Sequence, residues 1–134
     1  LLEKFRIDEY IPQINASLSQ SLLSIHKSYL NTMEDALDKE WLLGLSHITG
    51  GGLESNTYRI LSENQNLKID WNKWEWPPIF KLIQEVGKVP ISDMKKSFNL
   101  GIGMVLVVKR DNLDKAENYL QQKKEPYILI GEIG

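Results

Sequence analysis

Apolar side chains recur along this chain with two different periods, and the switches between them mark out the elements. From Tyr29 the spacing is helical: Leu30, Met33, Leu37 and Trp41 fall three to four apart, on one face of a helix. Asn31 or Thr32 suits its start, and Gly44 is expected to stop it. Leu45 to Thr49 is short and apolar and predicts a strand. Three glycines follow, and Leu53 to Leu61 predicts a helix with Leu53, Ile60 and Leu61 facing inward. Leu67 to Trp71 alternates apolar with polar, the pattern of a half-buried strand. Pro77 and Pro78 suit the first turn of a helix that carries Ile79, Leu82, Ile83 and Val86 inward and closes at Gly87. A short helix after Pro90 is expected to take Ser92 as its cap. Gly101 to Val108 does not alternate, which predicts a strand buried on both faces. Asp111 with Asp114 forms a capping pair ahead of the stripe Leu113, Ala116 and Leu120, and Tyr127 to Ile133 is a last strand.

Residues 1–25, interrupted by Pro12, are expected to be an N-terminal arm or the remnant of a linker, with 26–134 as the folded domain. The element order then predicts an α+β fold, a layered mixed sheet of four or more strands covered by helices.

Composition narrows the function. At 134 residues and 15.5 kDa the chain is one domain, expected to leave about 7,000 Å² exposed. Sixteen basic against eighteen acidic side chains give a net charge of -2, which speaks against nucleic acid as a partner. The longest strongly apolar run, Ile102 to Val108, falls far short of the roughly 20 residues that cross a bilayer. Glu3, Lys4 and Arg6 stand where a signal peptide would be apolar. A soluble cytoplasmic protein without a membrane partner is the expectation. The absence of cysteine excludes a disulfide scaffold, a thiolate zinc site and a cysteine nucleophile. The two histidines, His26 and His47, show no paired metal-ligand spacing, so no metal is expected on this chain. The missing initial methionine suggests a piece of something longer.

Two segments can carry chemistry. In the first, His47-Ile48-Thr49-Gly50-Gly51-Gly52-Leu53-Glu54-Ser55-Asn56, a strand runs through three glycines into a helix. Glycines let backbone take positive φ and lie against a ligand, and their N–H groups then form an anion cradle. The alternative is a tight turn without a ligand. The Gly-Lys-Ser/Thr ending of a Walker loop is missing. His47 fits a general base or phosphate donor, or equally a histidine that braces the loop. The second segment, Asn99-Leu100-Gly101-Ile102-Gly103, places Gly-x-Gly at a strand start. That marks either close approach to a ligand or a bulge and a packing contact. Trp71, Trp74 and Trp76 read as packing, and Lys95-Lys96 and Lys123-Lys124 as solvated faces.

Together the strings HITGGGL with Asn56 and Arg59, WPPIFKLIQEVGKV, and FNLGIGMVLVV resemble the C-terminal domain of the phosphoribosylformylglycinamidine cyclo-ligase (aminoimidazole ribonucleotide synthetase) family. The resemblance runs in order from about Leu22 to Val108. Ser55 stands where the family usually has Glu, Tyr58 where it has proline, and Ile25-His26-Lys27 where it has Pro-Thr-Arg. Ser97 replaces a usual threonine.

The resemblance implies ATP-dependent conversion of formylglycinamidine ribonucleotide to aminoimidazole ribonucleotide in purine biosynthesis. The formyl oxygen is phosphorylated, the amidine nitrogen attacks, and phosphate leaves as the imidazole closes. It implies Mg2+ with the ATP, a homodimer when full length, and an N-terminal domain that carries much of the ATP machinery. This chain would then be the substrate-side half, inactive alone and holding no cofactor alone. His47 would be its catalytic residue. Thr49, Gly50, Gly51, Gly52, Asn56, Asn99, Gly101 and Gly103 would face substrate or phosphate. The alternatives are the matching domain of formylglycinamidine synthetase, selenophosphate synthetase or a hydrogenase maturation protein, or a non-catalytic anion-binding or interaction domain.

Overall fold

A computed structural model describes all of residues 1–134. The segment where an arm was expected is folded. Strands β1 (Tyr10–Ile11) and β2 (Ala16–Ser17) pair antiparallel around a 3-10 turn at Pro12–Ile14, and helix α1 (Leu18–Leu22) follows directly. A reciprocal cap starts that helix. The Gln20 N–H donates to Ser17 Oγ at 3.2 Å, and the Ser17 N–H donates to Gln20 Oε1 at 3.0 Å, which satisfies two otherwise orphaned donors. Ile11 and Leu18 are fully buried against Leu82.

The predicted long helix from Tyr29 is instead one turn, α2 (Leu30–Met33), continued by a 3-10 turn at Glu34–Ala36. Leu37 is exposed and Trp41 lies beyond the helix, buried with Ala36 and Ala116. Strand β3 (Leu42–His47) therefore begins earlier than expected and runs through Gly44. The register shifts between Leu42 and Gly44, so this glycine sits at a bulge, one common place for glycine within a strand. Helix α3 (Gly52–Tyr58), strand β4 (Leu67–Ile69) and helix α4 (Pro78–Gly87) occupy their predicted places, the helix and strand shorter than drawn. The left-handed residue ending α4 is Lys88, at φ 51°, and Gly87 stays helical. Helix α5 (Ile91–Ser97) starts at Pro90 without a side-chain cap, and Ser92 lies inside it. Strand β5 (Met104–Val108) is half-buried throughout, not covered on both faces. Helix α6 (Leu113–Gln122) follows a 3-10 turn at Arg110–Asn112, with no side-chain cap from the aspartates. Strand β6 is only Gly131–Ile133.

The mixed α and β character holds, but the expected sheet of four or more strands does not form. There are three two-stranded antiparallel pairs: β1–β2, β3–β5 and β4–β6. An open cleft of about 1010 Å³, lined by Leu53, Leu67, Ile69, Val105, Val107 and Leu120 among others, lies among β5, the β4–β6 pair, α3 and α6. Only 18 of 134 residues are buried and the accessible surface is 9346 Å², against about 7,000 Å² from the mass scaling for a compact monomer. The core is thus thinner than the length alone suggests, and much aliphatic surface stays in water. Leu23, Ile25 and Leu43 are examples. No helix is long and apolar enough to cross a membrane.

Surface pairs tie the turn at Glu34–Ala36 to α6. Lys123 hydrogen-bonds Asp35, which holds that carboxyl below its ordinary range and the ammonium above its own. The Tyr119 hydroxyl donates to the Thr32 carbonyl at 2.6 Å.

Because Leu18 is wholly buried against α4, Leu18→Ala is expected to cost about 2–5 kcal/mol in urea unfolding. An unchanged midpoint would mean that residues 1–25 are detachable from the rest.

Candidate functional site

The β3–β5 ladder assembles the site. Its last register pair is His47 opposite Met104, and one step further the Ile48 N–H donates to the Gly103 carbonyl at 2.9 Å. The chain leaving β3 is the glycine loop, and the chain entering β5 is the Asn99–Gly103 segment. Antiparallel pairing therefore carries both glycine segments to the same end of one ladder, though more than 45 residues separate them in sequence.

The glycine loop turns through positive φ at Gly51 (101°) and Gly52 (73°), a region that L side chains rarely adopt. The two have different reasons to lack a side chain. A Cβ on Gly52 would collide with the Lys95 carbonyl, so this glycine lets α3 and α5 meet backbone to backbone. Gly51 is exposed and Gly50 has open space around it. Their N–H groups enter no backbone hydrogen bond, which leaves two donors facing solvent.

Asn56 fixes this shape. It is 3% exposed. Its Nδ2 donates to the Gly52 carbonyl at 2.7 Å and lies 3.3 and 3.4 Å from those of Gly50 and Thr49. Those bonds tie the Asn56 Nδ2 to the carbonyls of the loop, and its Oδ1 takes no part in them. Thr49 and His47 are exposed. The His47 side chain makes no hydrogen bond to the loop; its neighbour is the Tyr29 ring, edge-on with centroids 6.4 Å apart. Lys27 Nζ lies 5.4 Å from the centroid of the same tyrosine.

The facing segment is also braced. The Gly101 N–H donates to Asn99 Oδ1 at 3.0 Å, and the Ile102 N–H to the Asn99 carbonyl at 3.0 Å. Leu100 and Gly101 both take positive φ. A Cβ on Gly101 would press on Pro77 at 2.7 Å, and one on Gly103 would collide with the Tyr29 hydroxyl. The Trp74 indole N–H donates to the Leu100 carbonyl at 2.9 Å, while Trp71 packs on Trp74 and under Lys95. The tryptophans thus hold the second segment from behind, in line with their expected packing role.

Beside the glycine loop lies a groove of about 630 Å³ lined by Gly51, Glu54, Ser55, Tyr58, Ser92, Lys95 and Lys96. Lys95 and Lys96, expected on a solvated face, and Tyr29 thus border the two glycine segments. Nothing in their local sequence marks them. The Lys95–Gly52 backbone contact and the Tyr29–Gly103 contact exist only in the folded chain. No group of three or more His, Asp or Glu side chains gathers anywhere to suit a metal ion.

The family model for the AIR synthase related protein, C-terminal domain, matches residues 8–134. The chain belongs to this family. Similar proteins are named phosphoribosylformylglycinamidine cyclo-ligase. That of Pseudothermotoga lettingae is 42% identical over 133 residues, covering 99% of this chain and 39% of the relative. Those of Thermodesulfovibrio yellowstonii and Alkaliphilus metalliredigens are 40% and 34% identical, over 96% and 98% of this chain and 38% of each relative. This AIR synthase C-terminal domain therefore spans well under half the length of the curated relatives it matches. The family match starts at residue 8 and so takes in the folded β1–β2 segment.

Since Asn56 is buried with its amide spent on loop carbonyls, Asn56→Ala is expected to lose about 1–3 kcal/mol, the cost of orphaned buried partners. Unfolding by denaturant, together with loss of the Gly50–Gly52 amide protection in hydrogen exchange, is the measurement. A variant with wild-type stability and protection would remove Asn56 from this role.

Proposed function

We propose that this chain is the C-terminal, substrate-side half of an ATP-dependent cyclo-ligase that converts formylglycinamidine ribonucleotide to aminoimidazole ribonucleotide in cytoplasmic purine biosynthesis. The observation that carries the proposal is the family membership over residues 8–134, together with the cyclo-ligase names of relatives 42%, 40% and 34% identical. The large exposed apolar surface supports a partner domain as part of the working protein. That domain would carry the nucleotide machinery, in a homodimer, and residues 1–25 would lead in from it. Mg2+ would accompany the ATP.

Within this half, the free N–H groups of Gly50 and Gly51 and the hydroxyl of Thr49 meet an anionic oxygen of the ligand. Gly52 and Asn56 hold the loop in the required shape. Asn99, Gly101 and Gly103 shape the adjoining wall. His47 is exposed at the ladder end and free of other hydrogen bonds, so its imidazole is available to donate to a phosphate oxygen or to move a proton as the ring closes.

Two measurements test this. The protein with its preceding domain is expected to form aminoimidazole ribonucleotide from formylglycinamidine ribonucleotide and ATP, and the 134-residue chain alone to form none. No product from the longer protein would sink the proposal, and turnover by the chain alone would sink its half-site part. In the longer protein, His47→Ala is expected to lower turnover roughly 10²–10⁴-fold while leaving the unfolding midpoint where it was. Wild-type kinetics for that variant would remove His47 from the chemistry.

A further inference from the structure

The glycine loop offers backbone donors but no positive charge, and a phosphate monoester carries close to two negative charges at neutral pH. The structure places cations across from the loop. Gly52 lets the backbone of α3 touch that of α5 at Lys95, so the lysine pair on α5 is pinned beside Gly51. The groove between the two helices has Ser55 and Gly51 on one wall and Ser92, Lys95 and Lys96 on the other.

Its two lysines have different surroundings. Lys95 Nζ lies 4.3 Å from the Trp71 ring centroid, which fixes that ammonium by a cation–π contact. Lys96 is exposed and enters no ion pair. Glu54 is the only carboxylate on the lining. The two lysines outnumber it, so the lining is net positive (two less one) on a chain whose total charge is -2.

We propose that the groove between α3 and α5 binds the phosphate group of a phosphomonoester, with Lys96 as its cation and the Ser55 hydroxyl and the Gly51 N–H as its hydrogen-bond donors, while the Ser92 hydroxyl on the far wall stays on Asp93 Oδ1 at 3.4 Å. This deepens the proposed function and rests on the glycine loop facing a ligand. It adds α5 to the site and names the anion's charge partner. A charged donor shortens and strengthens a hydrogen bond to phosphate relative to a neutral one, so Lys96 carries more of the affinity than Ser55.

The test uses the 134-residue chain labelled with 15N, titrated with inorganic phosphate and with ribose 5-phosphate against sodium chloride at matched ionic strength. The amides of Gly51, Ser55 and Lys96 are expected to shift together and saturate with either phosphate. Lys96→Glu is expected to raise the dissociation constant at least about tenfold by reversing a charge-assisted contact. Lys96→Arg is expected to bind within about threefold of wild type, since the charge and donor remain. Both variants should keep the wild-type unfolding midpoint, because the side chain is solvated. Shifts confined to Gly50 and Gly51, with Lys96→Glu binding as tightly as wild type, would overturn the groove and leave the glycine loop standing. Equal shifts with chloride, or none with either phosphate, would overturn both.

Discussion

Everything proposed for this chain depends on one antiparallel ladder. The pairing of His47 with Met104, extended by the Ile48 N–H to the Gly103 carbonyl, decides that two glycine segments far apart in sequence emerge at the same place. A slip of one residue would turn His47 to the other face of the pair and move the loop away from its wall. The register is held by the bulge at Gly44 and by the packing of Trp41, Leu42, Leu106 and Val108 with Ala116 at the other end. Stability at one end of the ladder thereby sets geometry at the other.

Behind each glycine segment stands an asparagine side chain hydrogen-bonded to backbone. Asn56 restrains the loop through three carbonyls, and Asn99 accepts from Gly101 within its own turn. The backbone left on the outside is what a ligand meets, and its shape is rigid because the amides behind it are satisfied. The groups open to solvent are His47, Thr49 and the N–H groups of Gly50 and Gly51, with Lys96 alongside.

The rest of the molecule is less self-sufficient. With 9346 Å² exposed and an open cleft of about 1010 Å³ among β5, the β4–β6 pair, α3 and α6, the chain hides less surface than its size permits. The two well-packed regions are small: Ile11, Leu18 and Leu82 in one, and Ala36, Trp41 and Ala116 in the other. Such a fold gains from any surface that covers its exposed aliphatic side chains, because each buried square ångström is worth roughly 25 cal/mol.

The order of helices and strands from Leu30 onward was legible in the sequence, because hydrophobic period and glycine or proline punctuation are local. So were the two glycine segments and the position of α4 after its prolines. Residue type permits the positive φ found at Gly51, Gly52 and Gly101, but does not decide it, since Leu100 takes it too. Local pattern could not show that the stretch from Tyr29 to Trp41 unwinds after one turn so that Trp41 can reach Ala116, or that the first 25 residues fold against Leu82. Nor could it show that β5 and β6 stay in separate pairs. Strand pairing, the Gly52 contact with the Lys95 backbone and the placing of Tyr29 beside His47 and Gly103 join residues distant in sequence. They were decided by which surfaces pack together, a choice that only the folded chain makes.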